Sequence, residues 1–207
     1  MNFFRTYASS FIDISDQEWD MISSFYTLKQ YKKGEHIVNA GKVCDKSYYL
    51  SSGVARSYGI DSKGKEFTWM LHINIKEETS HPFLGDYISH ITQEESDIFC
   101  DAVTDCKIYI ADYTKIESLY KSDFKWMTLG KKVAESNLVA MVNYRKMIRR
   151  LDAKERYKAI QSFAPLYENF LTDYQFASLL NITPQSFSRI KKEIKIQESK
   201  NKYDRLL

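Results

Sequence analysis

Residues 171–194 read Leu171-Thr172-Asp173-Tyr174-Gln175-Phe176-Ala177-Ser178-Leu179-Leu180-Asn181-Ile182-Thr183-Pro184-Gln185-Ser186-Phe187-Ser188-Arg189-Ile190-Lys191-Lys192-Glu193-Ile194. Thr172 is a natural N-cap, and Phe176, Leu179 and Leu180 form one apolar helical face. Asn181 suits the left-handed conformation that ends a helix. Thr183 caps a second helix with Pro184 at its first position, where a missing N–H costs nothing. Phe187, Ile190 and Ile194 then face inward. Two helices joined by a tight turn are a helix-turn-helix.

The outward face of the second helix carries Gln185, Ser186, Ser188, Arg189 and Lys192. Glutamine pairs bidentately with adenine, arginine with guanine, and serine with base edges or phosphate. Thr172 and Thr183 set hydroxyls and free helix N–H groups where DNA phosphates would lie. The blander alternative is a helical hairpin with a solvated basic face. Charge leans towards nucleic acid: from residue 131 onward there are 16 Lys+Arg against 8 Asp+Glu, a net of +8, within a chain of net +3.

Upstream, residues 123–150 contain no proline and a single glycine, Gly130, so a long helix is expected. Met127, Ala134, Leu138, Met141 and Ile148 fall near heptad spacing, with Arg145 interrupting the stripe. Such a helix either packs on its own domain or pairs with its twin in a homodimer, and its length favours pairing.

The amino-terminal half has a different texture. Residues 11–28 read as a helix, with Ser15 and Glu18 forming a capping box before Trp19, Ile22 and Phe25. From Lys29 to about Ala111 the pattern is short strands and turns: 47–50, 54–58, 67–70, 97–103 and 106–110. Ser51-Ser52-Gly53 reads as a turn and residues 61–66 as a polar hairpin tip. A compact β-sandwich or barrel follows.

Composition excludes several classes. Aromatics make up 14% of the 207 residues, against global disorder. No apolar run reaches the ~18 residues of a membrane span, and Met1-Asn2-Phe3-Phe4-Arg5 does not begin a secretory signal. Cys44, Cys100 and Cys106 are odd in number and lack CxxC spacing, so neither a disulfide framework nor a zinc site is expected. A reduced cytoplasmic protein without a membrane partner is the expectation. No catalytic constellation, metal motif or phosphate loop stands out, which argues against an enzyme.

Residues 171–194, with Leu151-Asp152-Ala153-Lys154-Glu155-Arg156-Tyr157 before them, resemble the DNA-binding end of Crp/Fnr-type bacterial transcription regulators. Lys33-Gly34-Glu35, Gly41 and Asp45-Lys46-Ser47-Tyr48-Tyr49-Leu50-Ser51-Ser52-Gly53-Val54-Ala55-Arg56 are similar to that family's cyclic-nucleotide-binding-like β-roll. The resemblance implies an α+β chain with an amino-terminal double-stranded β-roll (1–121), a long dimerisation helix (122–150) and a carboxy-terminal (winged) helix-turn-helix (151–207). Its partners would be double-stranded DNA, a second copy and RNA polymerase. Arg189 falls where the family has its base-reading arginine, whereas Gln185 stands where many members have glutamate and Pro184 where some have another arginine. The family's best-known operator therefore does not transfer. Residues 195–207 are mostly polar, with Tyr203, Leu206 and Leu207 able to pack, so a wing is short or missing.

The family's phosphate cassette pairs Gly-Glu with a later Arg-Ser or Arg-Thr. Here Gly85-Asp86 matches the first element, while Ser96-Asp97 stands where the arginine pair belongs. No Lys or Arg occurs from Glu77 to Cys106. A carboxylate ~5 Å from a buried phosphate costs about 3 kcal/mol at an effective dielectric of ~20. Ala140 and Met141 occupy the positions of the hydroxyls that meet the adenine. This degenerate cassette argues against cyclic AMP, and no cofactor is expected. Three scattered cysteines do not ligate an iron–sulfur cluster. Isolated His36, His72, His81 and His90 suggest hydrogen-bonded residues rather than haem or metal ligands, and the lysines near Cys44 and Cys106 are a thin basis for redox activity. The expectation is a homodimeric regulator on a near-palindromic operator with an unidentified effector. The alternative is an effector-sensing β-roll whose helical end has weak or lost DNA binding.

Overall fold

The computed structural model describes residues 2–76 and 78–204. Helix α1 (Asn2–Ser9) is followed by α2 (Asp16–Ser24), whose N-cap is Ser15. The expected capping box is present: Ser15 Oγ accepts the Glu18 N–H, and the Glu18 carboxylate accepts the Ser15 N–H at 2.8 Å. The helix is shorter than the 11–28 expected. It stops because Thr27–Tyr31 becomes strand β1, where backbone pairing with a later strand replaces helical hydrogen bonds. Helix α1 is an addition to the expected elements.

The strands continue as β2 (His36–Val38), β3 (Lys46–Ile60), β4 (Glu66–Ile75), β5 (Glu78–Ser80) and β6 (Phe83–Leu84). After the short helix α3 (Tyr87–Thr92) come β7 (Ile98–Ala102) and β8 (Cys106–Asp112). Every pairing described is antiparallel, and β1, β8, β3, β4 and β5 are successive neighbours. Strand β3 organises this β-roll: residues 46–52 pair with β8, whereas 53–60 pair with β4 and β7. The turn expected at Ser51-Ser52-Gly53 is instead a bulged kink within one strand that serves both faces of the roll. Gly53 makes the kink feasible. Its φ is +108°, and a Cβ there would sit 2.5 Å from the Asp105 carbonyl oxygen.

The roll's interior is lined by Leu50, Ala55, Leu84, Cys100 and Ile108. At one end a second apolar cluster joins Ala8, Ile14 and Ile22 to α4 (Tyr113–Ser122) and the start of α5 (Phe124–Arg150) through Leu119 and Trp126. Lys125 and Glu18 pair across this contact at 2.6 Å. Gly130 is explained here, because a Cβ would lie 2.8 Å from the Tyr120 ring of α4. Beyond this point the exposed side of α5 is strongly apolar: Leu138 is 61%, Val139 59% and Met141 52% exposed.

The chain then forms α6 (Ala153–Phe163), α7 (Tyr167–Phe170), α8 (Asp173–Leu179) and α9 (Pro184–Asp204). Their core, built on Tyr157, Ile160, Phe176, Leu180, Phe187 and Ile190, extends onto Val54, Leu71 and Ile73 on the outside of the roll. The Tyr167 hydroxyl donates to the Leu71 carbonyl at 3.0 Å, and the Thr68 N–H donates to Ser178 Oγ. The wing left open in the expected fold is not formed in residues 195–204, which extend α9 instead. That segment lacks Gly and Pro and continues the helix with Lys, Gln and Glu, residues of good helix propensity. Leu206 and Leu207, and the side chain of Tyr203, lie outside the described residues. Among the described residues no helix is long and apolar enough to cross a membrane.

Candidate nucleic-acid interface

Thr172 caps α8 as the sequence anticipates, accepting the Gln175 N–H, while the Gln175 side chain accepts the Thr172 N–H at 3.0 Å. Asn181 takes the left-handed conformation with φ +56° and turns the chain. Thr183 caps α9 by accepting the Ser186 N–H at 3.2 Å. Phe187, Ile190 and Ile194 are buried, and the Phe187 ring stacks on Phe176 with centroids 5.0 Å apart. The inward half of α9 is thereby fixed in rotation, and the outward half is presented to solvent.

On that outward half, Gln185, Ser188, Arg189 and Lys192 are exposed. Ser186 differs from the expectation. It is half-buried, and its hydroxyl oxygen accepts a bond from Thr183 Oγ1 at 3.0 Å, so it serves the cap. Lys191 is also committed inward, to Glu168 at 3.2 Å and Asp173 at 3.0 Å. Those two carboxylates raise its pKa against the lowering effect of partial burial. Its neighbours Arg189 and Lys192 make no side-chain hydrogen bond or ion pair among the described residues. An open cleft of about 580 Å³ runs beside this face, lined by Ser188, Lys191, Lys192, Lys195 and Ser199 with Asp173 and Ile196. Lys195 was missed by sequence reasoning, although its spacing of three from Lys192 puts the two on one helix face.

The proposed pairing residues lie on α5. Ala134, Leu138 and Met141 are exposed, and the side chain of Ile148 lies outside the described residues. Met127 of the heptad stripe is exposed as well, and Phe124, Val139 and Val142 enlarge the exposed apolar surface beyond the residues singled out by that spacing.

The cassette is closed by its own hydrogen bonds. Gly85 has φ +97°, and Asp86 N-caps α3. The Asp86 carboxylate accepts the Ser89 N–H at 3.1 Å and the Ser96 hydroxyl at 2.9 Å, and both Asp86 and Ser96 are buried. Ser89 Oγ in turn accepts the Cys44 N–H and donates to the Glu94 carbonyl. The Ser89 amide in the first turn of α3 is thus occupied by a carboxylate of the same chain. Asp97 is exposed and outside this network.

Cys44, Cys100 and Cys106 are buried, and burial pushes each thiol up, Cys100 to about 11. His36 lies 2.6 Å from Asp101, and His90 stacks on Tyr113 and meets Glu117. Among the described residues no group of three or more His, Cys, Asp or Glu is placed to hold a metal.

The chain is similar over most of its length to solved transcription regulators. The c-di-GMP responsive global regulator CLP of Xanthomonas campestris matches with a TM-score of 0.65 at 12% identity, over 89% of this chain and 93% of that one. FixK2 from Bradyrhizobium japonicum matches at 0.66 and 15% identity, over 84% and 86%. A CRP/FNR-family transcriptional regulator from Thermus thermophilus matches at 0.59 and 17% identity, over 83% and 87%. At such identities the likeness is one of fold. No protein-family model and no curated relative matches the sequence.

Proposed function

We propose that this chain, which has the fold of Crp/Fnr-type transcription regulators, is a homodimeric DNA-binding regulator that reads a near-palindromic operator with the exposed face of α9. One observation carries the reading. Gln185, Ser188, Arg189 and Lys192 stand free on the exposed side of a helix whose other side is locked by Phe187, Ile190 and Ile194, while the adjacent Lys191 is neutralised by carboxylates. A merely solvated basic helix has no need for that division. Arg189 and Gln185, four apart on one face, address neighbouring base pairs, and Ser188 and Lys192 meet base edge or phosphate. Thr172 and Thr183 bring the first-turn N–H groups of α8 and α9 to the backbone.

The second copy covers the apolar stripe of α5 around Ala134, Leu138, Met141 and Ile148, and the two recognition helices then meet half-sites about one helical turn, ~34 Å, apart. RNA polymerase is the further partner through which such a protein acts on transcription. The β-roll does not take cyclic AMP in this reading: the cassette already satisfies its donors with Asp86, and a buried phosphate would find no cation there.

The test is operator selection from random duplexes followed by mobility shifts over a range of salt. The expected result is one enriched near-palindrome bound by a dimer, with the logarithm of the binding constant falling linearly in log salt. An absence of sequence enrichment, or weak binding without salt dependence, would favour an effector-binding roll that has lost DNA recognition.

A further inference from the structure

Arg145, Lys146, Arg149 and Arg150 place four cations in the last six residues of α5. All four are exposed, and none makes an ion pair among the described residues. The helix dipole accounts for Arg149 and Arg150, which lie in the last turn where a cation faces free carbonyls. It does not account for Arg145 or Lys146, a turn earlier. Arg145 is the more telling of the two. It follows Leu138 by seven residues, so it continues the apolar stripe as a charge, and pairing of two α5 helices would bring eight such cations together.

We propose that this cationic end of α5 is a second DNA contact, which grips the phosphates between the two half-sites. The inference rests on the reading of α9 as a recognition helix and of α5 as the dimer helix. Local geometry puts the two features side by side. Leu151 ends α5, Asp152 caps α6 with a capping box, and Lys154 in the first turn of α6 pairs with Glu193 of α9 at 3.5 Å. The end of α5 is therefore tied to the recognition helix through one short junction. In a two-fold dimer the paired α5 helices lie near the axis, and the duplex between half-sites crosses that axis. The partner is a regular polyanion rather than a small anion, because the four cations form two adjacent exposed columns, Arg145 with Arg149 and Lys146 with Arg150, along about 7.5 Å of helix at 1.5 Å per residue. A small anion needs donors that converge, whereas phosphates repeated along a duplex match such columns.

The experiment uses the full chain on its selected operator. Ethylation interference on the wild-type complex should show that modified phosphates midway between the half-sites weaken binding. R149Q/R150Q should remain dimeric by sedimentation, keep the operator's sequence preference, and bind with a salt slope shallower by about 0.9 for each phosphate no longer neutralised. R149K/R150K, which keeps the charges, should retain the wild-type slope. Central phosphates insensitive to ethylation, or a slope unchanged in R149Q/R150Q, would overturn the proposal. Should the glutamine variant be monomeric, the interference pattern of the wild-type protein still decides. Arg189→Ala separates the two readings: if it abolishes sequence preference while the central phosphates are insensitive, only this second contact is refuted. If the wild-type protein selects no operator, the recognition reading fails and takes this one with it.

Discussion

Arg189 and Lys192 sit one turn apart on the same exposed helix, yet different outcomes are expected of them. Arg189→Ala should cost roughly 1–3 kcal/mol per half-site and relax preference at the base pair it reads. Lys192→Ala should weaken all sequences alike and lower the salt slope by about 0.9 for the phosphate it ceases to neutralise. Competition binding on the selected operator and on single-base variants distinguishes them, with circular dichroism confirming that both variants fold. A second prediction concerns His72, which is buried in the roll. Its Nδ1 lies 2.6 Å from the His81 carbonyl, so Nδ1 donates, and its Nε2 accepts from Ser57 Oγ at 2.7 Å. Ser57 Oγ is also 3.0 Å from Cys100 Sγ, which completes a chain that needs neutral imidazole. Burial pushes the His72 pKa down to about 4 against the bond to His81, which raises it. The folded state therefore binds fewer protons than the unfolded one. The stability this group supplies is present above about pH 6.5 and is lost as pH falls towards 4, about 3 kcal/mol in all. Denaturant melts across that window should show the decline, and His72→Asn should flatten it. The helix-turn-helix and the exposed face of α9 were legible because such a hairpin advertises itself through caps and spacing. The roles of Lys191 and His72 were not, because they depend on partners such as Glu168 and His81 that no local pattern reveals.

At the scale of elements, caps made boundaries readable: Ser15, Thr172, Asn181 and Thr183 sit where their chemistry places them. Where a boundary was set by pairing between distant strands it was misread. The helix expected over 11–28 ends at Ser24, and a three-residue turn is a kink inside β3. Helix α5 bears the third prediction. Leu138→Glu with Met141→Glu should yield monomers and remove specific DNA binding, since charges on that stripe would be buried against each other in a pair. Sedimentation at micromolar concentration reads the outcome, and a monomeric wild-type protein would count against pairing through α5. The helical extension of α9 is an element-scale finding of another kind: a polar tail with no Gly or Pro, residues 195–204, prolongs the helix where a short wing or none was expected.

Over the whole molecule, the helical end is docked on the roll through a core that runs from Phe176 and Leu180 to Val54, Leu71 and Ile73. The fourth prediction belongs to this scale, because it concerns what the roll is for. Calorimetry should detect no binding of cyclic AMP or cyclic GMP at millimolar concentration; saturable stoichiometric binding would mean that a cation enters the cassette from elsewhere, such as a second copy. The order of roll, long helix and helix-turn-helix was determined by the sequence alone, because each segment has its own period, its own caps and its own charge. The missing arginine of the cassette was equally plain, since a residue that is absent from residues 77–106 cannot be supplied locally. What only the tertiary structure decided were the closures: Asp86 turned onto Ser96, Lys191 withdrawn to Glu168 and Asp173, and Thr68 joined to Ser178 across 110 residues. Such contacts arise when hydrophobic burial brings distant segments together and each buried donor must then find an acceptor. No periodicity along the chain encodes which one it finds.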